Sequence, residues 1–235
     1  MSLPHYHGEA GLRYHQVKRG LPSRALPWVM RLRAEKFSSH IRPTDTVLEY
    51  GVGAGWNLAH LNCARKIGID VSEAVESQAR GLGIEFHFSS AALPSGIADV
   101  VICHHMLEHA LAPAEVLLEM RRLLKPQGKL ILHVPCEHSW IRTQFIANEP
   151  NHHLYAWTLQ TLGNLLGECD FEVKTLKIQR FRYDRAAAVM ADKLKLGEKS
   201  YRFIRFVALL LNPEFEMAAI AYPNSHSEPA SGTTR

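Results

Sequence analysis

The chain has 235 residues, 46% of them hydrophobic and 21% charged, with a net charge of +4. That length suits one large α/β domain, or one domain with an added lid, and it buries enough surface to need no disulfide staples. Cys63, Cys103, Cys136 and Cys169 form no CxxC pair, which argues against a zinc knuckle or redox motif and fits a reducing compartment. The longest apolar run, 206–211, is far short of the ~20 residues that span a bilayer, and residues 1–20 show no signal-peptide pattern, so a cytoplasmic protein is expected.

Residues 1–44 carry a helical pattern, with Leu26, Trp28, Val29, Leu32 and Phe37 set among arginines and lysines, and Pro43 closes it. From residue 46 an alternation begins. A short apolar strand at 46–50 ends in a glycine turn, and 56–63 reads as the following helix. The second strand is expected at 66–70, then a helix at 72–80 with Ser72 as N-cap, and a third strand at 84–88. The fourth strand falls at 98–103. The amphipathic helix at 114–124 stops before the turn signal Lys125-Pro126-Gln127-Gly128, and the fifth strand follows at 129–134. A helix at 158–168 and strands at 171–178 and 214–221 complete the alternation, which indicates a parallel sheet covered on both faces. The tail, 223–235, is rich in Ser, Thr, Pro and Gly and is expected to be disordered.

Val47-Leu48-Glu49-Tyr50-Gly51-Val52-Gly53-Ala54-Gly55 places three glycines at a strand-to-helix turn, where a ligand can approach the backbone with no β-carbon in its way. Asp70 ends the next strand, and a carboxylate there can accept both ribose hydroxyls of a nucleoside. A dinucleotide dehydrogenase would carry a glycine at position 56, where this chain has Trp56. Glu49, unusual for such a strand, can bind an ammonium group.

This glycine turn with Asp70 resembles motif I and its acidic partner in the class I S-adenosylmethionine (SAM)-dependent methyltransferases. The stretch from Ala98 to His109, ending Leu107-Glu108-His109, resembles that family's fourth strand and its "LEH" element. Arg122-Leu123-Leu124-Lys125-Pro126-Gln127-Gly128 resembles its turn into strand five, with Gln127 in place of the first glycine of the pair. The resemblance covers about residues 40 to 180. It implies a doubly wound, Rossmann-like α/β sheet of seven strands, the last antiparallel between the fifth and sixth, over a domain at 45–222. The cofactor it implies is S-adenosyl-L-methionine. Gly51, Gly53 and Gly55 would line the methionine part, whose ammonium Glu49 would hold; Asp70 would hold the ribose and Val71 would contact adenine. Ser90 stands near where the family often has an acid for the adenine amine, and Cys103 at the end of strand four completes the expected cofactor set.

Fourteen histidines is a high count. His104, His105 and His109 follow strand four; His133, His138, His152 and His153 lie in or after strand five. Imidazole titrates near neutral pH and can take a proton from a hydroxyl during methyl transfer, so His109, His153 and His104 are the candidate bases, in that order. The spacing of His105, Glu108 and His109, at i, i+3 and i+4, puts their side chains on one side of a turn, which suits either half of a metal site or a hydrogen-bonded turn. The stretch is similar to the ubiquinone-biosynthesis O-methyltransferases, in which Glu-x-x-Glu-His is linked to a divalent metal, but His105 replaces the first Glu, and no metal is assigned.

The expected acceptor is a small molecule with an oxygen nucleophile, on a sugar, quinone-like or other metabolite. No nucleic-acid partner is expected, since no RNA-binding module and no NPPY-type element follows strand four. A macromolecular methyltransferase and a non-catalytic SAM-fold partner protein are the competing readings. Residues 183–213 exceed a plain connection between neighbouring strands. Gly197 divides them into two helices, expected as a lid with apolar residues inside and charge outside. Ten basic residues against three acids (Asp184, Asp192, Glu198) between 174 and 205 make weak contact with an anionic membrane surface the other expectation for the segment. Oligomeric state is not legible.

Overall fold

The computed structural model describes residues 6, 8, 9, 11, 12, 20–136, 144–147 and 151–224. Among them, seven strands form one sheet: β1 (Thr46–Tyr50), β2 (Arg65–Ile69), β3 (Glu85–His87), β4 (Ala98–His104), β5 (Leu124–Pro135), β6 (Phe171–Arg180) and β7 (Phe215–Pro223). Their order is β3-β2-β1-β4-β5-β7-β6. The first five pair in parallel, and β7 runs antiparallel between β5 and β6, as the glycine-turn resemblance implies. The strand order reverses between β1 and β4, so a crevice opens outside their carboxyl ends.

Burial on both faces explains the apolar central strands. Val100, Val101, Ile102 and Cys103 of β4 are all fully buried. One face is covered by α3 (Pro113–Leu123) and α4 (Leu159–Glu168) through Leu117, Met120, Leu123, Leu162 and Leu166. The other is covered by α1 (Leu26–Ser38) and α2 (Glu76–Gly81) through Ala34, Phe37 and Ala79. Pro113 opens α3 and Arg121 and Arg122 lie in its last turn, as the helix dipole favours. Thr158 and Thr161 cap α4 reciprocally.

Three local expectations are corrected. Residues 56–60 form turns, not a helix. One helical bond, from Ala59 N to Gly55 O, is followed by a tighter one from Leu61 N to Leu58 O. Asn57 is drawn inward to Glu49, and the Ala59 carbonyl accepts from Lys66 Nζ. Ser72 occupies the N-cap position, but its side chain makes no cap bond and a 3-10 turn (Glu73–Val75) precedes α2. Lys125 to Gly128 fall within β5, yet Leu124 faces Ala98 and Lys129 faces Val100, so these residues bulge from the ladder.

Between β6 and β7 two helices appear, α5 (Asp184–Lys193) and α6 (Glu198–Leu211). Ala187, Ala188, Ala191 and Tyr201 pack on Trp28 and Val29 of α1. Arg31 pairs with Glu198 at 2.5 Å, and Arg202 bridges Glu35 and Glu198. The expected inside-outside division holds only in part: Met190, Leu194, Phe203 and Phe206 face outward. Phe203 lies two residues from the buried Tyr201 and cannot share its helical face. The tail beyond Asn224, and His138, lie outside the described residues. None of the described helices is long and apolar enough to cross a membrane.

Leu117 is fully buried while its neighbour Leu118 is 46% exposed. Leu117→Ala is expected to cost about 2–5 kcal/mol of unfolding free energy, and Leu118→Ala within about 0.5 kcal/mol. Urea denaturation of the two variants checks the burial of α3.

Candidate active site

The turn after β1 crosses the carboxyl edge of the sheet. Gly51 and Val52 donate their N–H groups to Ile69 O at 2.8 and 3.0 Å, which holds the turn against the end of β2. Gly51, Gly53 and Gly55 have φ of +80°, +51° and +79°, the left-handed region that favours glycine. A β-carbon on Gly51 would lie 2.4 Å from Met106 Cγ, and one on Gly55 2.3 Å from Ile84 Cδ1. Asp70 ties the next strand to this turn: Oδ2 accepts from Gly53 N at 2.7 Å and Oδ1 from Ser72 N at 3.0 Å. A carboxylate oxygen accepts more than one hydrogen bond, so this anchoring is compatible with a ribose hydroxyl on each oxygen. Glu49 is buried in β1, its Oε1 accepting from Asn57 Nδ2 at 2.5 Å.

The remaining expected cofactor residues surround this turn unevenly. Val71 is half-buried directly after Asp70. Ser90 is buried, and its carbonyl accepts from Arg122 at 3.2 Å. The Cys103 side chain lies within the core beside Leu48, Val101 and Met106, so only its backbone is offered to the edge. Burial pushes its thiol well above the ordinary value, with Glu108 adding to the rise.

Beyond β4 the histidines separate into two clusters. His105, with φ of +52°, turns the chain sharply while its N–H donates to His133 O at 2.9 Å. Its ring is thereby sent toward β7, away from Glu108 and His109. The half-site of His105, Glu108 and His109 expected from spacing is therefore not assembled.

The first cluster centres on Glu216 at the start of β7, which is fully buried. Its carboxylate accepts from Lys36 Nζ at 2.6 Å (Oε1) and 2.8 Å (Oε2), from His133 Nδ1 at 2.9 Å, from His105 Nε2 at 3.1 Å and from Gln179 Nε2 at 2.6 Å. Lys36 also donates to His104 Nε2 at 2.9 Å and lies 4.1 Å from the centre of the Phe181 ring. Burial alone would raise the Glu216 carboxyl, but hydrogen bonds from His105 and His133 and the Lys36 charge hold it far below the usual range. Burial pulls Lys36 down to about 8 against the attraction of Glu216. Burial also lowers His133 to about 4, and with the Lys36 charge holds His104 well below its ordinary value. His105 is lowered by burial despite its bond to Glu216.

The second cluster joins the 3-10 turn Leu107–His109 to the segment before α4. His109 Nε2 and His153 Nε2 lie 3.8 and 4.0 Å from Glu108 Oε1. His109 Nδ1 is 2.7 Å from Tyr6 Oη and 3.3 Å from the His152 carbonyl, which a left-handed turn (φ +51°) presents. Leu154 N donates to Glu108 O at 2.9 Å and fixes the two segments together. Ligand atoms of Glu108, His109 and His153 lie within 4.8 Å of one another, as do those of His104, His105 and Glu216. In the latter set the Lys36 ammonium already supplies the cation.

Lys36, Gln179 and Glu216 escape the sequence reading. The signal for Glu216 is a lone acid in the apolar strand Phe215-Glu216-Met217-Ala218-Ala219. The antiparallel direction of β7 puts the start of that strand at the carboxyl edge.

The fold and this edge define a SAM-dependent methyltransferase. A methyltransferase-domain family model matches residues 17–176, more than half of the chain, and the chain belongs to that family. S-adenosyl-L-methionine is the methyl donor of this class. The chain is 33% identical over 107 residues to a 37.1 kDa protein of a Streptomyces fradiae transposon, covering 40% of this chain and 31% of that one. It thus spans about a third of that relative's length. A SAM-dependent methyltransferase from Thermotoga maritima superposes with a TM-score of 0.60 at 18% identity, covering 91% of this chain and 99% of that one. The methyltransferase bound to the Trm112 activator in Haloferax volcanii superposes with a TM-score of 0.59 at 16% identity, covering 97% and 100%.

The buried neutral histidines set the acid limb of stability. In the unfolded chain an imidazole binds a proton below about pH 6.5, whereas His133 resists protonation down to about 4. Between these values the unfolded state holds more protons, so stability falls as pH drops from 6.5 toward 4. Glu216, with its depressed value, adds a further loss below the ordinary carboxylate range. His133 alone accounts for roughly 3 kcal/mol over the window. Urea titrations at several pH values are expected to show this slope, reduced by about one proton in His133→Gln; equal slopes in both would contradict the assignment.

Proposed function

We propose that this enzyme methylates an oxygen nucleophile on a small molecule, with an imidazole behind β4 as the base. The observation that carries the reading is the convergence of His109 and His153 on the buried Glu108. They lie on the sheet edge that also carries the glycine turn and Asp70. Gly51, Gly53 and Gly55 approach the methionine part of SAM, Glu49 takes its ammonium, Asp70 the ribose, and Val71 and Ser90 the adenine side. Cys103 contributes its backbone. Bound there, SAM supplies an electrophilic methyl group on a sulfonium.

The chain's own residues then have two tasks. They align the acceptor oxygen with the methyl carbon, and they remove the hydroxyl proton as the new bond forms. Glu108 holds the imidazolium that His109 or His153 becomes, as a carboxylate orients the base in a hydrolase triad. Tyr6 and the His152 carbonyl fix the His109 ring from its other nitrogen. His104 ranks third because its Nε2 lone pair already accepts from the Lys36 ammonium. The four cysteines are free thiols, which supports the cytoplasm as the working compartment.

Two measurements test this reading. Asp70→Ala removes hydrogen bonds worth roughly 1.5–3 kcal/mol each, so titration calorimetry should show S-adenosylhomocysteine affinity down at least about tenfold. Unchanged affinity would displace the ribose from Asp70. Transfer of labelled methyl from SAM to a panel of phenols, quinols and sugars should fall ~10²–10⁴-fold in single alanine variants of the base while the cofactor still binds. Full activity in His109→Ala, His153→Ala and His104→Ala alike would leave alignment as the whole mechanism, and labelling of protein or RNA instead of the panel would overturn the acceptor class.

A further inference from the structure

We propose that the outer face of the α5–α6 pair is an interfacial surface that rests on anionic lipid. α6 is apolar on two sides. Its inner side, with Tyr201, Ile204 and Leu209, is turned to the protein and packs on α1 through Tyr201 and Ile204. On its outer side Phe203, Phe206 and Leu210, at i, i+3 and i+7, are 66%, 59% and 50% exposed, and Leu211 beyond them is 82% exposed. Met190 of α5 and Leu194 just after it, also more than half exposed, continue the same hairpin. Exposed apolar residues are ordinarily scattered singly; a stripe of them along one helix marks a surface that is covered by something.

The charges beside the stripe identify what covers it. Lys193, Lys195 and Lys199 are exposed where α5 passes into α6, and none has an ion-pair partner among the described residues. Of the nearby acids, Asp184 is engaged with Arg205 and Arg33, Glu198 with Arg31 and Arg202, and Glu35 with Arg202, which leaves Asp192 as the acid beside these three lysines. An apolar stripe headed by ammonium groups in excess over acids complements a layer with anionic headgroups over acyl chains. A second copy fits less well, because a two-fold contact presents the same basic, apolar face from both subunits. The hairpin is bolted to α1 by the Arg31 and Arg202 ion pairs, so it meets the lipid as a fixed surface. The enzyme would then draw its acceptor at the membrane boundary while remaining outside the bilayer.

The test is co-sedimentation of the full chain with vesicles of phosphatidylcholine alone and of phosphatidylcholine with a quarter phosphatidylserine. Binding is expected to the mixed vesicles and to weaken with salt. It should fall at least about tenfold in Lys193→Ser/Lys195→Ser/Lys199→Ser and again in Phe203→Ser/Phe206→Ser/Leu210→Ser. Arg202 is left intact because it holds the hairpin to α1. Unchanged S-adenosylhomocysteine binding in both variants shows that they fold and separates this surface from the active site. Absence of binding by the wild type, or binding that both variants retain, overturns the proposal. A dimer that the Phe203 variant dissociates, without vesicle binding, assigns the face to a second copy and equally overturns it.

Discussion

A single buried carboxylate, that of Glu216, connects the layers of this molecule. It takes hydrogen bonds from α1 (Lys36), the turn after β4 (His105), β5 (His133) and β6 (Gln179). Helix α1 has no backbone pairing with the sheet, so its position depends on Phe37 wedged into the core and on Lys36 held by this carboxylate. The geometry is possible because β7 is antiparallel: its first residues, and not its last, arrive at the carboxyl edge. A buried ion pair contributes little net stability compared with apolar packing, but breaking it leaves an uncompensated charge at a cost of about 3–5 kcal/mol. The pair therefore specifies where α1 sits more than it strengthens the fold.

The same interaction divides the chemistry of the edge. With Glu216 and Lys36 opposing each other, the first cluster is nearly neutral, and His104, His105 and His133 are all held in their uncharged forms. The second cluster has a buried carboxylate, Glu108, facing two imidazoles. Only three residues lie between His105 and His109, yet a left-handed turn and a 3-10 turn send them to different neighbours. The neighbour of His109 and His153 is therefore the Glu108 carboxyl. A proton received at His104 would meet the Lys36 ammonium.

What the sequence makes legible follows from which forces are local. Strand runs, the glycine turn and Asp70 depend on neighbours in the chain and are legible from them, whereas the antiparallel last strand between the fifth and sixth follows only from the family resemblance that those motifs carry. The helix expected at 56–63 fails for a non-local reason: Asn57 and Ala59 are claimed by Glu49 and Lys66. The i, i+3, i+4 spacing of His105, Glu108 and His109 presumes helical geometry that the positive φ of His105 removes. Lys36 reads as one more basic residue on an amphipathic helix, because its partner lies 180 positions away. The histidines were visible as a group, but their division into two clusters required the turn.

The α5–α6 insertion has an inner face that the fold demands and an outer face that it does not. β6 and β7 are neighbours and a short turn would join them. Without the hairpin, Trp28 and Val29 on the outer side of α1 would lie open to water, although Lys36 and Phe37 had fixed the helix on the sheet. Ala187, Ala188, Ala191 and Tyr201 meet that need, the three alanines being small enough to let the helices approach closely. Nothing in that task requires Phe203, Phe206 and Leu210 on the opposite side, where polar residues would serve solubility better. An apolar stripe that packing within the chain does not explain, set beside three exposed lysines with no ion-pair partner among the described residues, is the part of this surface that depends on something outside the molecule.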